Sequence, residues 1–355
     1  MAATPIETIV RARSETEAAW MLVDAREGTK VIAGGTDLML HIDKGRAQPK
    51  ALVDVRRAGM NDITKREDGL FIGATATARN IAKSADLERS AAGLWEAAAT
   101  LSVPQIRNMA TLGGNVANAS PAADMVPPVL AMDGHVGVRR GDDIREIPAT
   151  DLALGPGRTR LEPGDLVTYI RLPPWASSAY HGFLKLGFRD AQIIAVCSLA
   201  LSCEMEDGVI KRIGIGLGSV APRCVRARKV ENFLTGKRLT RAVGEEAMRL
   251  LGEDISPIDD VRSEAKFRLD VTRNYLGDAL GRAFCHHTGQ APGTDTIRAL
   301  KDPAPRPPSK SAERTTPLDD VETGSARPLR IVATSELAYT TRTGAKKTPA
   351  TSRTH

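Results

Sequence analysis

The scarce features of this sequence restrict its chemistry first. Its four cysteines, Cys197, Cys203, Cys224 and Cys285, form no C-x-x-C pair, and their spacings suit neither zinc nor iron–sulfur ligation. Buried or inert thiols in a reducing compartment are expected, so a redox cofactor here is not a metal cluster held by this chain. Aromatic residues make up only 4%, too few for a base-stacking platform. No run of about 18 uncharged apolar residues occurs, which excludes a helical membrane span. Met1–Arg13 lacks the apolar stretch of a secretory signal, and the expected compartment is the cytoplasm. The six histidines show no H-E-x-x-H spacing and G-x-S-x-G is absent, so neither a zinc hydrolase nor an acyl-transfer triad is expected.

The net charge of +6 also loses meaning once it is located. From Thr288 onward there are 11 basic and 7 acidic residues, leaving 38 basic and 36 acidic residues in the body. A nucleic-acid binder would carry its excess on the folded part. The same terminal stretch holds eight of the 21 prolines and loses all periodicity, so 288–355 reads as a disordered tail that buries too little apolar surface to offset its ordering entropy. Within it, Leu329–Tyr339 is the one piece expected to order locally.

What remains is a 42% hydrophobic body, enough for two or three cores over this length. A strand–helix opening leads to a helix over Thr16–Glu27, and strands follow at Lys30–Ala33, Ala51–Val55 and Leu70–Ala74. Helices are expected at Thr77–Lys83 and Ser90–Leu101. Ser102–Pro128 then reads as a long irregular stretch, dense in Gly, Asn, Pro and Ser, of the kind that is usually functional. Strands resume at His135–Arg139, Arg145–Ile147 and Leu166–Leu172, and Pro173-Pro174 marks a boundary. Beyond it, a strand over Gly182–Phe188 and a hairpin turning at Glu206-Asp207-Gly208 precede helices at Arg226–Leu234, Arg241–Leu251 and Val261–Phe284. The fold class is α+β, with an antiparallel sheet and helices in the second part.

Two glycine pairs carry the chemistry. Ala33-Gly34-Gly35-Thr36-Asp37 follows a strand, and successive backbone N–H groups in such a turn make a concave anion site suited to a diphosphate. Thr36 adds a hydroxyl donor, whereas Asp37 suits loop amides or a ribose hydroxyl. A plain tight turn accounts for this run equally. The second pair, Thr111-Leu112-Gly113-Gly114-Asn115, lies about 80 residues later and ahead of Asp124. Together the loops could clasp one dinucleotide from both sides. Neither reads G-x-G-x-x-G, so this is not the Rossmann pattern.

The runs VIAGGTDLML, PQIRNMATLGGNVANASPAADMVPPVLAMDG and LGPGRTRLEPGDLVTYIRLP resemble the flavoprotein (medium) subunit of molybdenum hydroxylases, a family that includes the carbon monoxide dehydrogenase medium subunit and the xanthine dehydrogenase FAD domain. The resemblance extends from about Ile6 to Phe284 and leaves the tail outside. It implies an FAD-binding domain of the vanillyl-alcohol-oxidase-like (PCMH) type over 1–175, in two lobes of about 1–57 and 58–175, and a CO dehydrogenase flavoprotein C-terminal-like domain over 180–285. Non-covalent FAD is the implied cofactor. By that likeness Val31, Ile32, Ala33, Gly34, Gly35, Thr36, Asp37 and Leu38 line the diphosphate. Thr111, Leu112, Gly113, Gly114 and Asn115 face its other side. Asp124 bonds the adenosine half or fixes its loop. Leu101 and Val167 are apolar neighbours of the cofactor, and Lys185 lies near the isoalloxazine, where a cation favours negative charge on the ring.

The implied partners are a large molybdopterin-binding subunit and a small 2Fe-2S subunit, whose electrons pass through this chain to an external acceptor. Where some relatives place an aromatic residue beside the ring, this chain reads Asp190-Ala191-Gln192-Ile193, which leaves acceptor preference open. Two other functions fit the same residues: a self-contained flavin oxidoreductase, and an assembly subunit without cofactor.

Overall fold

A computed structural model describes residues 6–187 and 194–289, and the backbone of 331–333. Strand β1 (Thr8–Arg11) leads into helix α1 (Glu15–Val23), whose start is fixed by Ser14 accepting from the Glu17 N–H at 3.1 Å. Strand β2 (Thr29–Ile32), helix α2 (Leu38–Asp43) and strand β3 (Ala51–Asp54) complete a three-stranded parallel sheet in the order β1-β3-β2. Because the strands are parallel, their carboxyl ends share one edge. The Gly34-Gly35 turn leaves β2 on that edge, the side on which open parallel sheets bind ligands.

Beside it, Asp54 is buried at the end of β3 and accepts from Arg11 Nε at 3.2 Å and Arg56 Nη2 at 2.7 Å. The Arg56 guanidinium, chiefly, holds its carboxyl down to about 2. A depressed folded pKa contributes stability above the unfolded value, which is lost as pH falls through the folded one. Asp54→Asn is therefore expected to be less stable than the parent at pH 6 by on the order of 2 kcal/mol. That difference should shrink between pH 4 and 2 in acid-unfolding curves.

The next lobe is antiparallel. It comprises β4 (Ile63–Arg66), β5 (Gly69–Gly73), α3 (Ala78–Lys83), α4 (Ala85–Ser90), α5 (Ala92–Ala99), α6 (Pro104–Arg107), α7 (Leu112–Ala117) and α8 (Val126–Ala131). Strands β6 (His135–Arg140) and β7 (Asp143–Pro148), helix α9 (Ala149–Leu152), the ribbon β8 (Ala153–Gly155) and β9 (Arg158–Thr159), and strand β10 (Leu166–Leu172) follow. The sheet order is β4-β5-β10-β6-β7, and its core gathers Ile72, Leu94, Leu112, Met125, Leu130 and Ile170.

Two expectations change here. The stretch Ser102–Pro128, read as irregular, carries α6, α7 and the start of α8. Each of these helices spans only four to six residues, too few for a 3.6-residue pattern to show. The helix expected over Ser90–Leu101 breaks at Ala91, which leaves helical geometry with φ −154° and ψ 47°. Helix α2, directly after the first glycine pair, had no sequence signal.

The third unit holds β11 (Tyr180–Leu186), β12 (Cys197–Glu206), β13 (Val209–Gly218) and β14 (Val225–Arg226), then α10 (Arg228–Leu234), α11 (Arg241–Leu250) and α12 (Ala265–Thr288). A last strand, β15 (Ile331–Ala333), pairs antiparallel with β11, and the rest of the tail from residue 290 lies outside the described residues. Strand alternation gives this sheet two different faces. Leu184, Leu199, Leu201, Ile215 and Leu217 join the core under α10–α12. Phe183, Lys185, Ser198, Ala200, Gly214, Gly216 and Gly218 turn to the preceding lobe. There the backbone comes so close that a β-carbon on Gly214 or Gly216 would lie 1.8 or 1.9 Å from the carbonyl oxygens of Ala131 or Pro127. Helix α12 starts at Ala265 and not at Val261, because Asp260 holds the preceding loop by accepting from the Arg262 N–H and the Arg268 guanidinium.

Candidate cofactor site

The two glycine loops meet. A β-carbon on Gly34 would lie 1.9 Å from the carbonyl oxygen of Met109, so only glycine lets the first loop seat on the segment leading into Thr111. Gly35 adopts φ +72°, a left-handed conformation costly for other residues. As the chain turns, the N–H groups of Gly34, Gly35, Thr36, Asp37 and Leu38 find no acceptor among the described residues. Five consecutive donors beyond the carboxyl end of β2 are the kind of turn that can cradle an anion. Asp37 precedes α2 with its side chain making no capping bond, and Val31, Ile32 and Ala33 below it are half-buried.

The second loop is built differently. Thr111 caps α7 by accepting from the Gly114 N–H at 3.1 Å, Leu112 donates to Ala76 O at 3.0 Å, Gly113 to Ala74 O at 2.9 Å and Asn115 to Thr111 O at 2.9 Å. Its donors are thus spent inside the protein, and it contributes shape. Gly113 is packed on Ala74, 2.6 Å from a would-be β-carbon, whereas one on Gly114 would meet only Thr111 Oγ1, at 2.9 Å. The Gly114 surface is open. The pair of loops is therefore asymmetric: the first donates and the second provides a flat wall.

Asn115 carries the connection onward. Its Oδ1 accepts from the Met125 N–H at 3.2 Å, beside Asp124. The Asp124 carboxylate accepts from Lys185 Nζ at 2.5 Å, with both side chains at least nine-tenths buried. Asp124 Oδ1 has no partner among the described residues. Burial pushes the Asp124 carboxyl up, against the opposing pull of the Lys185 ammonium. This contact joins the two ends of the resemblance-based site: Asp124, linked to the adenosine half or its loop, and Lys185, linked to the isoalloxazine, form one ion pair.

Leu101 is buried in the core of the antiparallel lobe and Val167 packs on the same core from β10. Arg107 Nη1 holds the carbonyls of Leu101 and Ser102, at 3.1 and 2.9 Å, where Ser102 has φ +44°. Asp190-Ala191-Gln192-Ile193 lies outside the described residues. The contributions missed from sequence are the Met109 carbonyl that seats Gly34 and the Ala74 and Ala76 carbonyls under α7. Backbone acceptors carry no residue signature, so no sequence signal marks them.

The profile of the FAD binding domain in molybdopterin dehydrogenase matches residues 5–175, and that of the CO dehydrogenase flavoprotein C-terminal domain matches 183–283. The chain belongs to the family of FAD-binding subunits of molybdopterin dehydrogenases. Its cofactor is FAD, and it is an oxidoreductase subunit. Among relatives, the 6-hydroxypseudooxynicotine dehydrogenase complex subunit alpha of Paenarthrobacter nicotinovorans is 30% identical over 77% of this chain and 93% of its own length. The xanthine dehydrogenase FAD-binding subunit of Escherichia coli O157:H7 is 27% identical over 77% of this chain and 96% of its own length. The solved structure of reconstituted CO dehydrogenase from Oligotropha carboxidovorans superposes with a TM-score of 0.76 at 27% identity, covering 80% of this chain and 99% of the solved one. Among the described residues no helix is long and apolar enough to cross a membrane.

The residues present fit FAD. A diphosphate needs several N–H donors without a competing acceptor, and Gly34–Leu38 offer them. A flat dinucleotide needs a wall without a β-carbon, and Gly114 gives one.

Proposed function

We propose that this chain is the electron-transfer flavoprotein subunit of a molybdenum-containing hydroxylase or dehydrogenase, taking electrons from iron–sulfur clusters of a small 2Fe-2S partner and passing them to an external acceptor. A large molybdopterin-binding partner would oxidise the substrate. The names of its relatives support such an assembly: two are carbon monoxide dehydrogenase medium chains, 26% and 29% identical. The observation that carries the reading is the state of the charged groups at the site. Asp124 and Lys185 are buried and engaged with each other, so neither is free as a general acid or base for an organic substrate. A site whose buried charged pair is engaged within itself suits holding a redox cofactor and relaying electrons.

In this reading residues 1–175 form a two-part PCMH-type FAD domain with lobes of about 1–57 and 58–175, and 180–285 form the C-terminal domain. The N–H groups of Gly34, Gly35, Thr36, Asp37 and Leu38 hold the diphosphate. Val31, Ile32 and Ala33 support that loop from below. Thr111, Leu112, Gly113, Gly114 and Asn115 wall the opposite side, and Leu101 and Val167 supply apolar backing. Asp124 fixes its loop to Lys185, which sets the charge near the ring. FAD supplies the exchange between two-electron and one-electron chemistry when bound; the chain orients it and excludes water around it.

The test is turnover by the FAD-loaded chain alone. It is expected not to oxidise aldehydes, purines or N-heteroaromatic donors, yet to reduce a dye acceptor when supplied with a chemically reduced 2Fe-2S protein. Steady oxidation of an organic donor by the isolated chain would replace this reading with a self-contained oxidoreductase.

A further inference from the structure

Arg268 is buried to 1% exposure in α12, on the helix side of the third sheet and away from both glycine loops. Its Nη1 donates to the carbonyls of Val196 and Ser219, at 3.0 and 2.9 Å, and its Nη2 to Asp260 Oδ1 at 2.5 Å. Its Nε has no partner among the described residues. Burying a guanidinium costs several kcal/mol, and an incompletely satisfied one is a poor way to gain stability. The fork does, however, reach two strand ends at once.

Each strand end leads to one half of the Asp124–Lys185 pair. Ser219, just past β13, has φ +62° without being glycine. It is clamped between Arg268 on its carbonyl and Pro121 on its N–H, which donates to Pro121 O at 2.7 Å. Such strain persists only where the surroundings over-determine it. Pro121 belongs to the loop that ends in Asp124, and Cys224 Sγ supports the same loop from below, 3.4 Å from Pro121 O. Val196, the other carbonyl partner, directly precedes β12, where Ser198 pairs across the sheet with Lys185 and Gly218.

We propose that Arg268, anchored by Asp260, is a positioning residue for the cofactor site, setting the loop 119–125 and the start of β12 so that Asp124 and Lys185 meet. This rests on the reading of the site above.

The experiment compares full-length Arg268→Met with the parent by amide hydrogen exchange and by FAD affinity. Asp260 keeps Arg262 at 2.6 Å in that variant, so no carboxylate is stranded. Exchange at 119–125 and 196–199 is expected to quicken about tenfold, while α10 and α11 stay as in the parent. The FAD dissociation constant should rise about fivefold, the worth of one lost hydrogen bond. Exchange that is unchanged at 119–125, or raised equally across the whole third unit, overturns the proposal, since the latter is what a purely structural residue would show. Local quickening with unaltered FAD affinity also overturns the link to the cofactor. Should Arg268→Met not fold, Arg268→Lys keeps the charge beside Asp260 but not the fork to both carbonyls, and is expected to show the same local pattern at smaller amplitude. A parent chain that binds no FAD speaks against the functional reading alone, and the exchange pattern still decides whether Arg268 positions the loop.

Discussion

Gly114→Val is expected to purify folded and without FAD. The glycines of the two loops differ in what crowds them, and this makes the prediction specific. A side chain on Gly34 or Gly113 would collide with the protein itself, at Met109 O or Ala74, so those substitutions should lower stability and cofactor binding together. At Gly114 the backbone has ordinary dihedrals and the sole near neighbour is Thr111 Oγ1 at 2.9 Å. Displacing that cap costs about 1 kcal/mol, which a domain of this size tolerates. The valine methyls then stand where the dinucleotide would lie. Far-UV circular dichroism should match the parent, while the flavin absorbance is lost even with added FAD. Gly114→Ala, smaller by two methyl groups, should bind weakly. Full FAD retention in folded Gly114→Val would show that the cofactor does not pass along α7.

Lys185→Met should be the most damaging single change at the junction of the lobes. Removing the ammonium leaves Asp124 buried, with one oxygen already unpartnered among the described residues. Breaking one side of a buried pair costs about 3–5 kcal/mol. The sign of the pH dependence follows from the carboxyl. Burial raises its folded pKa above the unfolded value near 4, and without Lys185 nothing opposes that rise. The native state then binds more protons than the unfolded one, so stability falls as pH increases above the unfolded pKa. Urea melts in saturating FAD should therefore show a larger deficit for Lys185→Met at pH 8 than at pH 5. Asp124→Leu added to Lys185→Met should recover most of the loss. A deficit below about 1 kcal/mol, or one independent of pH, would mean that the pair is not buried as described.

Both glycine pairs were legible because each combines a turn-forming residue with hydroxyl and amide neighbours, and the family resemblance assigned them to one cofactor. Their inequality was not legible. Whether an N–H is free depends on carbonyls contributed by Ala74 and Ala76, which are distant and featureless in sequence. Lys185 and Asp124 were each singled out, but their pairing across 61 residues needed the fold, because it depends on strand register in one unit and a loop in another. The alternation in β12 and β13 was visible only as a hairpin. That its small residues mark a backbone-to-backbone joint, with Gly216 beneath Pro127 O, required the partner surface. Short helices such as α2 and α7 escaped for the simpler reason that six residues complete fewer than two turns.

The most direct measurement is the visible absorption spectrum of the purified full-length chain, recorded before and after acid precipitation. Flavin bands in the native protein, released to the supernatant as FAD equimolar with the chain, are the expected result. A folded but colourless protein that takes up no added FAD would contradict the site described here.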